Sequence, residues 1–253
     1  MTMMEDVKEL YDKMFQDEVS ELENSDPEFY SIIRNFTLGE VPNHGNINEK
    51  TRMLIITAVV MGCGGVELFE KIIHGALNIG VEPVKIREIV YQGTPYLGLA
   101  RVYSFITVMN EVFNNHNISL PLEQQGTVNN DNRLQKGNQK QIDYFGEGMK
   151  ESWKKGPEEQ RHIQKWLADN CFGDYYTRNG LNDKEREMVT FCYIMAQGGC
   201  EPQLTAHAMA NIALGNDKQF LMDLVSQSIP YIGYPRSLNA ITCITDAAEQ
   251  MKK

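Results

Sequence analysis

Cys200, Gln203 and His207 stand at i, i+3 and i+7 of one helical stretch, so at 3.6 residues per turn they fall along a single face. An imidazole near its ordinary pKa of about 6.5 gives or takes a proton at neutral pH. Cys200 follows Gly198-Gly199 and precedes Glu201-Pro202, which places it at a helix entry. Unpaired backbone N–H groups and the helix dipole stabilise a thiolate there, and Glu201 opposes that effect. In the first half of the chain Glu67, Glu70 and His74 repeat the spacing. Each stripe ends on histidine with a polar residue four positions earlier, and a carboxylate at that position can orient the ring or share its proton. The competing reading is a histidine satisfied by local packing.

The repetition extends beyond the histidines. His74-Gly-Ala-Leu-Asn78-Ile79 is answered by His207-Ala-Met-Ala-Asn211-Ile212 at an offset of 133. Pro95-Tyr96-Leu-Gly98-Leu-Ala-Arg101 is answered by Pro230-Tyr231-Ile-Gly233-Tyr-Pro-Arg236 at an offset of 135, and Met53 and Gly64 match Met188 and Gly199 at the same offset. A near-constant offset means a duplicated unit with small insertions. Tyr96 and Tyr231 either close a pocket or pack a helix turn. Arg101 and Arg236 either hold a substrate carboxylate bidentately or serve as caps and surface ion pairs. Glu159-x-x-His162 has the spacing of a carboxylate-bridged metal helix, but it occurs once among many charges and reads as solvated surface. No metal site is expected. Gly62-Cys-Gly-Gly65 lacks the rest of any phosphate-binding motif and reads as a tight turn.

The elements that must carry these residues are helical, and the fold class expected is all-α. Val7, Leu10, Tyr11, Met14 and Phe15 give an amphipathic first helix, and Asp26-Pro27-Glu28 starts another. Residues 39–48 read as loop, 49–61 as an apolar helix, and 67–79 as a helix stopped by Gly80. A helix opening at Glu82-Pro83 is expected to break at a turn around Thr94-Pro95, and the last helix of the unit to run to about Phe113. Residues 114–138, rich in Asn, Gln and Gly, read as a linker between a first unit at 1–113 and a second at 139–253. The second unit has a helix from Pro157 to about Asn170, a loop at 172–181, and helices at 183–197 and 202–213, with further helices to the end.

Composition narrows the function classes. The net charge of −10 and pI near 5.1, without a basic stripe, argue against nucleic acid as a partner. The longest apolar run, 54–63, is too short to span a bilayer, and the acidic start lacks a secretory signal. Five cysteines without a Cys-x-x-Cys pair fit a reducing cytoplasm. Cys63, Cys171, Cys192 and Cys243 read as small inert hydrophobes.

Phe172-Gly173-Asp174, Arg178-Asn-Gly180-Leu181, Arg186-Glu187-Met188, Gly199-Cys-Glu-Pro-Gln203-Leu204-Thr-Ala-His207 and Tyr231-Ile-Gly233 together resemble the carboxymuconolactone decarboxylase family. That family overlaps in fold with alkylhydroperoxidase-D-type peroxidases. The first half resembles it more loosely, through Leu38-Gly39-Glu40, Arg52-Met53, Glu70, His74 and Tyr96-Leu-Gly98. The resemblance implies two tandem helical units, assembly as homo-oligomeric rings, a small-molecule substrate and chemistry without metal or organic cofactor. It implies a pocket holding Glu187 and His207, with Cys200 nearby. The peroxidase branch needs two cysteines three apart, and here the second position is Gln203. In the first unit Glu67 and Glu70 take those positions and Arg52 that of Glu187. The candidate catalytic set is therefore His207, Glu187, Cys200, His74 and Glu70, with Gln203, Glu67, Tyr231 and Arg236 as candidate substrate contacts. Three functions stay open: decarboxylation of a small carboxylated lactone or related acid, thiol peroxidation at Cys200, and a non-catalytic binding or scaffold role.

Overall fold

Helices make up the secondary structure of a computed structural model that describes residues 3–16 and 20–252, and no strand occurs among these residues. In chain order they are α1 (Met3–Phe15), α2 (Glu21–Ser25), α3 (Pro27–Arg34), α4 (Glu49–Cys63), α5 (Val66–Asn78), α6 (Pro83–Leu97), α7 (Leu99–Asn115), α8 (Arg133–Phe145), α9 (Arg161–Trp166), α10 (Asp183–Gln197), α11 (Glu201–Leu214) and α12 (Lys218–Gln250). The expectation of an all-α chain holds. None of the described helices is long and apolar enough to cross a membrane.

The centre is built from α4 and α10, which are buried along nearly their whole length; the buried part of α4 is almost wholly apolar, whereas α10 carries Arg186, Glu187 and Thr190 into the interior. Both start on an asparagine cap. Asn48 Oδ1 accepts from Thr51 N at 2.9 Å, and Asn182 and Glu185 form a reciprocal capping box. The two helices touch where Gly62 meets Ala196; a Cβ on Gly62 would lie 2.6 Å from the alanine methyl carbon. Around this pair the repeats exchange arms. Helix α6 of the first repeat packs on α10, and α12 of the second packs on α4.

Three expected loops are helical in part. Residues 35–40 and 167–176 form π-helical turns, which reach into the stretches expected as loops from 39 and 172. A wide turn displaces its backbone, and at the second one this allows α8 to lie directly upon it. A Cβ on Gly137 would stand 2.0 Å from Ala168 O, and one on Gly173 2.5 Å from Arg133 O, so both positions need glycine. The same packing orders part of the expected linker, since α8 begins at Arg133. The expected turn at Thr94-Pro95 is absent. Pro95 lies inside α6, and the break comes at Gly98 (φ 81°, ψ 151°), matched in α12 by Pro230 and Gly233 (φ 74°, ψ 169°). Proline removes one donor from a helix but fixes a helical φ; only glycine reaches the conformation of the break.

Helix ends set the true register of the repeat. Helices α4 and α10 are both 15 residues long and offset by 134. The next turn has two residues in the first repeat and three in the second, which moves the offset to 135. Helices α5 and α11 then end alike. Gly80 N donates to Leu77 O and Val81 N to Ala76 O, as Gly215 N does to Ile212 O and Asn216 N to Asn211 O. His207 therefore corresponds to Ile72, and His74 to Met209. Glu187 corresponds to Met53, and Arg52 to Arg186. These offsets correct the matching of His74 with His207, which needs 133, and of Arg52 with Glu187, which needs 135 where the helices stand 134 apart.

Candidate active site

The Glu187 carboxylate is fully buried on α10 and is hydrogen-bonded through Oε1 to His207 Nδ1 on α11. His207 keeps 11% of its side chain exposed and Glu187 none, so the imidazole is the reachable member of the pair. Asn211, one turn beyond His207, fixes the two helices together. Its Nδ2 donates to Glu187 O at 3.0 Å and His207 O at 2.9 Å, while its Oδ1 accepts from Asn216 Nδ2 at 2.8 Å. In the first repeat the four equivalent residues are Met53, Ile72, Ala76 and Val81, all in the apolar core.

A directed chain of hydrogen bonds supports the pair. Glu88, wholly buried on α6, accepts two bonds from Arg178 at 2.8 and 3.0 Å and one from Arg186 at 3.2 Å. A guanidinium has only donors, so Arg186 Nη1 orients Gln92 by donating to its Oε1 at 3.0 Å. Gln92 Nε2 then donates to Thr190 Oγ1 at 3.3 Å. Thr190 turns its own proton to the Tyr176 hydroxyl at 3.0 Å, and Tyr176 donates to Glu187 Oε2 at 3.2 Å. Tyr96 completes the set by donating to Tyr176. Burial raises the hydroxyl pKa of both tyrosines well above the ordinary range, so they remain protonated donors. With Glu187 ionised and accepting only, Nδ1 of His207 carries the ring proton and Nε2 is left as base or acceptor.

Aromatic rings wall the imidazole. Tyr96 and Phe145 meet it edge-to-face at centroid distances of 5.5 and 5.4 Å, and Phe172 stacks on Tyr176 at 4.4 Å. The thiol nearest this polar cluster is Cys171. Burial pushes it up to about 12, the Tyr96 hydroxyl tempering the shift and the Glu187 charge adding to it.

The other candidate residues are dispersed. Cys200 caps α11 seven residues before His207, about 10 Å along the axis. It lines a separate cavity of about 250 Å³ with Arg236, Glu201, Met195 and Leu204. Gln203 is exposed. Arg236 Nη1 donates to Ala196 O and Arg101 Nη1 to Gly62 O, so both arginines cap the ends of the central helices. Tyr231 is partly buried near Arg52, and burial pushes its hydroxyl up to about 12. Glu67 and Glu70 are exposed, and His74 is bonded to His116 across 2.9 Å, not to Glu70. Cys63, expected to be an inert apolar filler, is exposed beside Arg236.

Sequence reasoning missed Tyr176, Thr190, Gln92 and Phe145. Glu88, Gln92 and Tyr96 were detectable as one stripe at i, i+4 and i+8, carried by the first repeat but aimed at the second.

Among solved structures, a Burkholderia xenovorans LB400 protein assigned as a gamma-carboxymuconolactone decarboxylase subunit has a similar fold. The TM-score is 0.52 at 19% identity, covering 98% of this chain and 99% of that one. No curated protein matches the chain. Residues 27–111 and 161–246 each match the carboxymuconolactone decarboxylase family, one match per repeat. Together these matches cover more than half of the sequence, and the chain belongs to the carboxymuconolactone decarboxylase family.

Proposed function

We propose that the Glu187–His207 couple performs cofactor-free proton transfer in the decarboxylation of a small carboxylated lactone or related acid. The observation that carries this reading is the bond from His207 Nδ1 to a buried carboxylate, which leaves Nε2 as the group that meets substrate. Loss of carbon dioxide breaks a C–C bond and leaves its electron pair on the substrate, delocalised as an enolate. The carbon must then gain a proton. Protonated at Nε2, His207 supplies it while Glu187 stabilises the imidazolium; solvent returns the proton afterwards. The aromatic walls exclude competing water. Loss of the absorbance of carboxymuconolactone tests the reading. Glu187→Gln and His207→Gln are expected to lower turnover at least a hundredfold, with Cys200→Ser close to wild type. Unchanged turnover in both site variants refutes it.

A thiol peroxidase is the second reading, favoured by Cys200 lining its own cavity at the entry to α11. Its thiolate would attack the peroxide O–O bond, giving a sulfenic acid and an alcohol or water, and an external thiol would reduce it. Peroxide consumption lost in Cys200→Ser and kept in His207→Gln selects this chemistry. A chain inactive in both assays is left with a binding or scaffold role.

A further inference from the structure

We infer that the first repeat holds a binding site for a small monocarboxylate, with the carboxylate on Arg52 and its apolar body against Leu10, Leu38 and Pro42. These four residues line a cavity of about 210 Å³ between α1, the π-helical turn at 35–40 and the start of α4. Comparison of the two repeats points to an anion there. Arg186 is paired with Glu88 and bonded to Gln92. Arg52, its counterpart, takes part in none of the ion pairs formed among the described residues. The counterpart of Glu88 is Asp223, which turns instead to Asn46 N at 2.9 Å and Gln219 at 2.8 Å. The counterpart of Gln92 is Gln227, which spends its amide on Val41 O and His44 O.

Gln227 Oε1 is left without a hydrogen-bond partner in consequence, and Arg52 Nε is buried and unpaired, as Arg186 Nε is in the second repeat. Arg52 donates through Nη2 to Pro42 O at 3.1 Å and Ile47 O at 3.4 Å, contacts that orient the guanidinium without cancelling its charge. Burial lowers its pKa, with Glu49 and Tyr231 opposing the shift. A partly desolvated cation without a counter-ion gains more from a bound carboxylate than a solvated one does. Glu49 is already paired with Lys13 on the same wall, which leaves Glu9 as the carboxylate that repels a second negative charge. This selects one carboxylate rather than two.

Calorimetric titration of the full chain with benzoate, and separately with succinate, tests the site. Saturable binding of one benzoate per chain is expected, with succinate at least tenfold weaker. Arg52→Met and the cavity-filling Leu38→Phe should each weaken benzoate at least tenfold, while His207→Gln leaves it unchanged. Leu38→Phe keeps the guanidinium and reports on the cavity if Arg52→Met does not fold. Absence of saturable binding overturns the site. So does binding that survives both first-repeat variants or is lost in His207→Gln. Equal affinity for succinate overturns the charge selectivity.

Discussion

Ile72 occupies in the first repeat the place that His207 occupies in the second, and Met53 stands where Glu187 does. The same backbone therefore accepts either a buried acid–base pair or two apolar side chains. Burying an ion pair contributes little net stability, whereas stripping one partner leaves an uncompensated polar group. Glu187→Met alone is expected to cost about 3 kcal/mol. Adding His207→Ile should recover part of that loss, giving a coupling of about 1 kcal/mol or more in urea unfolding. Additive costs would show that the two repeats do not share this register.

How much of this was readable follows the same logic. The helices at 49–63, 183–197 and 201–214 were legible because caps, glycine stops and apolar runs are local signals. His207 was legible from its spacing with Cys200 and Gln203, Glu187 only through resemblance. Their supporting chain was not, because Gln92 and Tyr96 lie far from them in sequence and reach the site only once the repeats exchange α6 and α12. Matching histidine with histidine misled. The glycines that end α5 and α11, Gly80 and Gly215, carried the register more faithfully, since a backbone stop is fixed by geometry.

Glu88 joins the repeats by accepting from both Arg178 and Arg186. Glu88→Gln keeps the shape but removes the charge that three guanidinium groups share, those of Arg87, Arg178 and Arg186. A loss of about 3 kcal/mol is expected in denaturant unfolding. A loss under 1 kcal/mol would mean that solvent already compensates these arginines.

Gly137 and Gly173 let α8 lie on the π-helical turn, and Phe145 at the end of that helix walls His207. A methyl group on residue 137 would overlap Ala168 O, so Gly137→Ala is expected to cost about 3 kcal/mol. Because α8 then lifts away, turnover should fall even where the variant stays folded. Retained stability and turnover would place the helix elsewhere.

Burial holds Cys171 at about 12 and raises Cys192 further, so neither supplies thiolate at pH 8. Iodoacetamide added to the native chain should leave both unmodified, and both should react in urea. Peptide mass spectrometry reads the outcome. Rapid native labelling of Cys171 would show that the cluster around Glu187 is open to solvent.

His116 meets His74 across 2.9 Å, and both desolvation and the neighbouring ring lower its pKa from the ordinary 6.5. A base with a depressed folded value takes its proton less readily when folded than when unfolded. Its contribution to stability is thus intact above pH 6.5 and declines as pH falls from there toward the folded value. The melting temperature of the wild type is accordingly expected to drop between pH 7.5 and 5.5 by more than that of His116→Gln. Glutamine carries no charge at either pH and removes this part of the dependence. Parallel melting curves for the two proteins would mean that the ring at 116 protonates equally well in the folded and unfolded chain.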